Sequence, residues 1–529
     1  MTQVELYDTT LRDGAQSEGI SLSVEDKLTI TDRLDQLGVH YIEGGWPGSN
    51  PKDAEFFERA KNFKLKNSVV TAFGSTRRAN VDAANDPQIQ TLLEAETAVV
   101  TLVGKSWDLH VTHILETSLE ENPAMISDSI SYLVSQGRRA FFDAEHFFDG
   151  YNANPGYALQ AVRAAAFAGA ECVVLCDTNG GVTPTKIFEI VTTGGKETDV
   201  NLGIHTHNDA DMAVAGALTA VDAGVLQVQG TVNGYGERCG NANLLSIAAN
   251  LKLKKGIDCI SDEQLRSLTD TGRFIAEIAN MPPPTSQPFV GSSAFAHKGG
   301  LHASAVAKVE HSCRHIPPET VGNDKRVLVS ELSGRSNILF KVDEMGLDVQ
   351  LSRAQARELL QIVKEQGNRG FQYEGAEASF ELLVRRTLPD YRAPFELVDF
   401  MTVVEKRSGS SDLSSQVMLK VKLDNEVMHT AADGNGPVNA LDFALRKALL
   451  NFYPELKAVR LADYKVRVVD QGVETEAVVR VLIESADGQD TWSTVGSSEN
   501  VIEASWMALS DSLEWWLARS RRRSAISGP

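Results

Sequence analysis

The first 255 residues alternate between two kinds of segment, and that alternation limits the fold more than any other feature of the chain. Short β-prone runs fall at 4–8 (VELYD), 39–45 (VHYIEGG), 68–74 (SVVTAFG), 97–104 (TAVVTLVG), 139–147 (RAFFDAEHF), 171–177 (ECVVLCD), 201–207 (NLGIHTH) and 225–233 (VLQVQGTVN). Between them lie longer stretches with apolar residues at helical spacing, such as Val24–Leu37 and Tyr157–Ala168. Eight strands alternating with eight helices in about 250 residues predict a (β/α)8 TIM barrel. A doubly wound open sheet would show fewer strands, and no GxGxxG follows the first one.

At 529 residues the chain is too long for one core. We expect a TIM-barrel catalytic domain over 1–280, linker and helical subdomains over 281–390, a regulatory α+β domain over 391–520 and a tail at 521–529. The Pro-rich MPPPTSQPFVG (281–291) reads as a linker, and Ser352–Gln366 and Gly375–Leu388 read as helices. From 391 the pattern duplicates. FELVDFMTVVEKR, SQVMLKVKL, EVMHTAADG and the helix Val438–Leu450 are matched by KAVRLADYKVRVVD, EAVVRVLIES, DTWSTVGSS and the helix Val501–Trp516. Each unit is three strands and a helix, suited to paired effector sites or to a dimerisation platform. The basic run Arg519–Arg523 is expected in a frayed, solvated end.

Composition excludes several partners. A formal charge of −20 argues against nucleic acid, which needs a basic face. No apolar run approaches the roughly 20 residues of a membrane span, and the first residues lack a secretory core, so a cytoplasmic protein is expected. The cysteines at 172, 176, 239, 259 and 313 are odd in number with no CxxC pair, which favours reduced thiols.

In TIM barrels chemistry sits at the carboxyl ends of the strands. Arg12 and Asp13 follow the first strand. Glu43 ends the second, Asp143 and Glu145 the fifth, and Asp177, Thr178 and Asn179 the sixth. His205 and His207 end the seventh, and NGYGERCGN (233–241) follows the eighth. Alternate strand residues point the same way, so His205 and His207 can reach one ion, although two satisfied polar residues at a strand end would look alike. Asp13 is the natural third ligand and Asn241 a neutral fourth. Nitrogen and oxygen donors without thiolate suit Mn, Zn or Mg alike. A bidentate 2-oxo acid would complete such a shell.

Together, DTTLRDGAQ (8–16), HTHND (205–209) and GYGERCGN (234–241) resemble the DRE-TIM metallolyases. That family takes in 2-isopropylmalate, homocitrate and citramalate synthases and hydroxymethylglutaryl-CoA lyase. GGWPGSNPKD (44–53), EHFFDGY (145–151), CDTNGG (176–181) and HKGGLHASAV (297–306) bring the resemblance closer to those synthases that take pyruvate. It extends over nearly the whole chain, including a regulatory domain that the lyases lack.

The resemblance implies condensation of acetyl-CoA with pyruvate to (R)-citramalate and CoA, on a path to isoleucine. It also implies feedback by isoleucine at the C-terminal domain and a homodimer in which the 292–390 segment covers the partner's barrel mouth. Asp13, His205 and His207 would bind the divalent metal, with Asn241 at or near it. Arg12, Gln16, Glu43 and Thr178 would meet substrate, with Arg12 polarising the ketone and Thr178 holding the carboxylate. Glu145 would lie against the keto acid. His302 would move the acetyl methyl proton or assist thioester hydrolysis.

Read from the residues alone, several of these have plainer explanations. Arg12 and Asp13 can pair with each other. Glu43 can be a structural partner of Arg12, and Glu237 and Arg238 can brace the strand-eight loop. His302 without the resemblance reads as a surface histidine, and His110 and His297 have no assigned part. Cys239 stands where isopropylmalate synthases commonly carry alanine and is not taken as a nucleophile. Three other functions compete: 2-isopropylmalate synthesis from 2-oxoisovalerate, cleavage of a 3-hydroxyacyl-CoA, and a non-catalytic sensor.

Overall fold

The computed structural model describes residues 3–526 apart from 195–197, 299–304, 306–308, 331–332, 348–350, 407–412, 425 and 470–476. Two compact units result, one of residues up to 295 plus 316–325, the other of 296–315 plus 326 onward.

The first unit is the expected barrel. Strands β1 (Glu5–Asp8), β2 (Tyr41–Gly45), β3 (Val69–Ser75), β4 (Val99–Lys105), β5 (Arg139–Glu145), β6 (Cys172–Asp177), β7 (Asn201–Thr206) and β8 (Gln227–Gly230) close in sequence order. All pairings are parallel, and the seam is sealed by β1 against β8, with Tyr7 opposite Gln229. Six of the strands fall within the β-prone runs read from the sequence, and β3 and β4 each extend one residue past theirs, to Ser75 and Lys105.

The helices begin where local chemistry starts them. Ser23 forms a capping box with Asp26 ahead of Val24–Leu37, and Gly38 ends that helix in the left-handed region at φ 85°. Asn50, Asp86 and Asn154 each cap a helix whose first residue is proline, starting at Pro51, Pro87 and Pro155.

Strand alternation then sorts the side chains. Leu6, Ile42, Ala72, Val100, Phe142, Val173, Ile204 and Val228 face the helical shell and form the main core. Their neighbours point into the barrel, where Tyr7, Tyr41, Val99, Phe141, Cys172, Val174 and Cys176 pack together. By the same two-residue step the inward face carries Glu43, Thr71, Thr101, Asp143, His205, Gln227 and Gln229, all buried. The polar rim is therefore a continuation of the apolar filling below it.

In the second unit β9 (Ala296–His297) pairs with β10 (Arg326–Val327), followed by helices Arg335–Glu344, Arg353–Asn368 and Glu377–Arg386. Two antiparallel three-stranded sheets come next. One is β11 (Glu396–Lys406), β12 (Leu413–Leu423) and β13 (Glu426–Gly434), the other β14 (Arg460–Val468), β15 (Val479–Ala486) and β16 (Thr491–Ser498). Helix Pro437–Leu449 follows the first sheet and Val501–Ile526 the second.

The duplication reaches individual bonds. A register shift at Leu397/Asp399 recurs at Leu461/Asp463, and the hydroxyl of Thr430 donates to the carbonyl of Ala444 as that of Thr494 donates to Ala508. The interval from Leu397 to Leu461 equals that from Thr430 to Thr494.

One expectation is corrected. The last helix does not stop at Trp516 but runs to Ile526, through the basic stretch assigned to a frayed end. Leu517, Ala518 and the arginines are good helix formers, and the guanidinium of Arg519 lies 5.0 Å from the Trp515 ring centroid. No helix among the described residues is long and apolar enough to cross a membrane.

Candidate metal and substrate site

Asp13 projects from the short turn after β1, His205 from the inward face of β7, and His207 from just beyond it. His207 is linked there to Asn241 by an isolated antiparallel bridge. His205 Nε2 lies 3.2 Å from Asp13 Oδ2 and 3.3 Å from His207 Nε2, and His207 Nε2 lies 3.9 Å from Asp13 Oδ2. The three side chains are buried, and among the described residues they are the one His/Cys/Asp/Glu group whose ligand atoms all fall within 4.8 Å of one another.

The electrostatics favour the donor form at Asp13 and His207. Burial pushes the Asp13 carboxyl up, but Arg12 and the two imidazoles outweigh it and hold Asp13 well below the usual carboxylate range. Burial and then His205 push His207 down to about 4, leaving its imidazole neutral with a free lone pair at pH 7. Burial also acts to lower His205, yet its bond to Asp13 raises it overall.

Two buried side-chain atoms of these residues have no partner, and one of them is a candidate ligand. They are Oδ1 of Asn241, the candidate neutral donor, and Nδ1 of His207, which is turned away from the cluster atoms while Nε2 faces them. The Asn241 amide turns its nitrogen to Asp13 Oδ2 at 2.7 Å and lies 3.2 Å from His205 Nε2. A half-turn of that amide would bring its oxygen to the cluster as a neutral donor. The loop leaves no slack around it. A Cβ on Gly236 would fall 1.9 Å from Asn241 Oδ1, and one on Gly240, at φ +86°, would fall 2.0 Å from the Gly234 carbonyl oxygen.

Arg12 is fixed from two sides. Its Nε donates to Glu43 Oε1 at 2.6 Å, and its guanidinium lies 3.8 Å from the Phe73 ring centroid. Asp13 Oδ1 stands 3.8 Å from its Nη1, so the adjacent charges do not form the closest pair. Glu43 is fully buried, and its second oxygen accepts from the Tyr7 hydroxyl at 2.8 Å. Tyr7 is within hydrogen-bond distance of Thr71 and Thr101 as well. Glu43 therefore lies beneath the cavity as the partner of Arg12. Burial works against the arginine's charge, but Glu43 and Asp13 keep its pKa above the ordinary value.

Above these groups opens a cavity of about 240 Å³ lined by Arg12, Asp13, Gln16, Glu145, Thr178, His205 and His207, with Trp46, Phe73, Val103 and Cys176 as its apolar wall. The Thr178 hydroxyl accepts from the backbone N–H of His146 at 2.9 Å, which leaves its own hydrogen to donate. Glu145 pairs with Lys105. Arg238, in the left-handed region at φ 58°, reaches Asp209 at 2.7 Å and the Thr178 carbonyl at 2.7 Å, which supports the reading of a loop brace. A second cavity of about 290 Å³ shares Arg12, Gln16 and Trp46 with the first. His302 lies outside the described residues.

Sequence reasoning passed over Gln229 and the depth of Asp143. Gln229 sits opposite His205 in the β7–β8 register, accepts at Oε1 from His205 Nδ1 at 2.8 Å, and donates from Nε2 to Asp143 Oδ1 at 3.0 Å. Burial and then Glu43 push Asp143 up to about 7. The available signal was the pair Gln227 and Gln229, two amides at alternate positions of a strand otherwise buried.

Comparison with known proteins agrees with this geometry. Residues 3–275 match the HMGL-like family, 289–370 the homocitrate synthase post-HMGL domain-like family, and 374–517 the LeuA allosteric (dimerisation) domain. The chain is 54% identical to an (R)-citramalate synthase of Geobacter sulfurreducens over 98% of each chain. It is 52% identical to that of Aquifex aeolicus over 99% of each. A third, from a Synechocystis species, is 50% identical over 98% of this chain and 96% of the relative.

Proposed function

Because the chain belongs to the (R)-citramalate synthases within the HMGL-like family, we propose that it condenses acetyl-CoA with pyruvate to give (R)-citramalate and CoA. It is an acyltransferase. The observation that carries this reading is the near full-length likeness to synthases of that name, joined to a small cavity floored by an Asp-His-His donor set.

Asp13, His205 and His207, with Asn241 beside them, would hold a divalent ion, and Mn, Zn or Mg all suit these donors. When bound, that ion would supply Lewis acidity to the keto-acid oxygens. The protein's own groups do the rest. Arg12, held by Glu43 and Phe73, keeps a guanidinium aimed at the cavity, where negative charge gathers on the ketone oxygen during carbon–carbon bond formation. Thr178 has a hydroxyl hydrogen free for the keto-acid carboxylate, because its lone pair already receives His146 N–H. Gln16 and Glu145 complete the polar wall, and Trp46, Phe73 and Val103 limit water. The acetyl methyl is a weak carbon acid and needs a positioned base. His302 is assigned that proton, or the later hydrolysis of the thioester, on the strength of its motif alone.

The LeuA allosteric (dimerisation) match supports a dimer and amino-acid control at the duplicated sheets, with isoleucine the effector we infer. Thiol release from acetyl-CoA with a panel of 2-oxo acids tests the substrate, and pyruvate is expected to be used fastest. A clear preference for 2-oxoisovalerate would overturn the reading. Inhibition by isoleucine but not leucine tests the effector.

A further inference from the structure

Gln229 touches neither the cavity nor any of the ligand atoms, yet it has a directional connection to one of them. It is fully buried at the inward face of β8 and flanked by His205 on β7 and by Asp143 on β5. An amide has one accepting and one donating end. Asp143 Oδ1 takes the donating end at 3.0 Å, so the accepting Oε1 is left for His205 Nδ1 at 2.8 Å. Turned over, the amide would set oxygen against the carboxylate and N–H against the ring nitrogen that must then lack hydrogen. The bond to Asp143 would be lost, and His205 would carry its hydrogen on Nε2, the atom that faces Asp13.

We propose that Gln229 is a positioning residue that holds His205 as the Nδ1–H tautomer, so that Nε2 presents its lone pair toward Asp13. The inference rests on the metal reading above. It makes the two imidazoles unequal. His207 has no partner at Nδ1, being placed through its backbone, whose N–H donates to the Asp177 carbonyl at 3.2 Å. His205 is the pre-oriented ligand, and Gln229 is the reason. A group that fixes the far nitrogen of a ligating histidine typically controls metal affinity by roughly 10- to 100-fold.

The test is Mn(II) binding to the metal-stripped full-length protein, read by isothermal titration calorimetry beside thermal unfolding. Gln229→Met should bind Mn(II) roughly 10- to 100-fold more weakly while the metal-free protein still unfolds cooperatively. Gln229→Glu combined with Asp143→Asn, which keeps an accepting oxygen for Nδ1–H and an N–H between positions 143 and 229, should restore most of the affinity. Gln227→Met, two residues earlier on the same inward face, should bind like the parent. Should the methionine variant not fold, Gln229→Asn, with its amide withdrawn by one methylene, gives the same comparison. A folded Gln229→Met or Gln229→Asn with parental affinity overturns the inference, as does a Gln229→Glu, Asp143→Asn double variant no better than methionine or an equal loss in Gln227→Met. A parent protein that binds no Mn(II) overturns the metal reading itself, and this inference with it.

Discussion

Arg12 has its Nε bonded to a buried carboxylate and a ring against its face, so its direction is set before substrate enters. A lysine keeps the charge and loses both the fork and the stacking. Arg12→Lys should therefore lower kcat by about 10²–10³, the usual loss on removing a donor to a developing oxyanion, measured as thiol release at saturating acetyl-CoA. Asp13→Ala removes the one anionic donor of the cluster. Calorimetry should show Mn(II) affinity falling by more than the roughly 100-fold expected from an outer-shell change. Gln227 points to stability alone. It is buried with neither end of its amide partnered among the described residues, so Gln227→Met should leave activity intact. Stability should stay level or rise by up to about 1–3 kcal/mol in thermal unfolding.

Among the elements, the helix Pro87–Glu94 depends on a single aspartate. Asp86 accepts from the N–H groups of Gln88 and Ile89 and also from Arg78. Burial pushes this carboxyl up, but the backbone N–H groups outweigh it and hold its pKa below the ordinary value. Its contribution is therefore present above the unfolded carboxylate range near about pH 4 and lost as pH falls through the lower folded value. Asp86→Ala should cost about 0.5–2 kcal/mol in denaturant unfolding at pH 7, and the gap should narrow in acid.

Elements were the most legible feature of the sequence, because period-two and helical spacing are local. Val24–Leu37 could be read to the residue, since Ser23 and Gly38 bound it chemically. The last helix was read short because a run of charge resembles a solvated end, although arginine is a good helix former. Within the site, the HxH step and the DTTLRD turn were visible because both lie within a few residues. Gln229 was not, since its meaning comes from the register that sets it beside His205. The choice between roles for Glu43 also depended on a partner 31 positions away in sequence.

In the whole molecule, both duplicated sheets leave apolar side chains in solvent, among them Val398, Met401 and Val403 on β11 and Val466 and Val468 on β14. Exposed apolar strands invite pairing or coverage. With the dimerisation-domain match over 374–517, sedimentation velocity should show a dimer, and Met401→Asp with Val403→Asp should shift it toward monomer.

The barrel's seam adds one more consequence. The strands that seal it, β1 and β8, are the earliest and latest of the eight, and the carboxylate and imidazoles of the cluster come from the two sides of β8. An ion held there would act as a clasp over the place where the ring of strands is zipped shut. Starved of metal, the protein should loosen first at that zip, with residues 9–16 and 230–241 gaining amide exchange while the far wall stays closed. Scarcity of the ion would then shorten the enzyme's lifetime as well as slow its turnover.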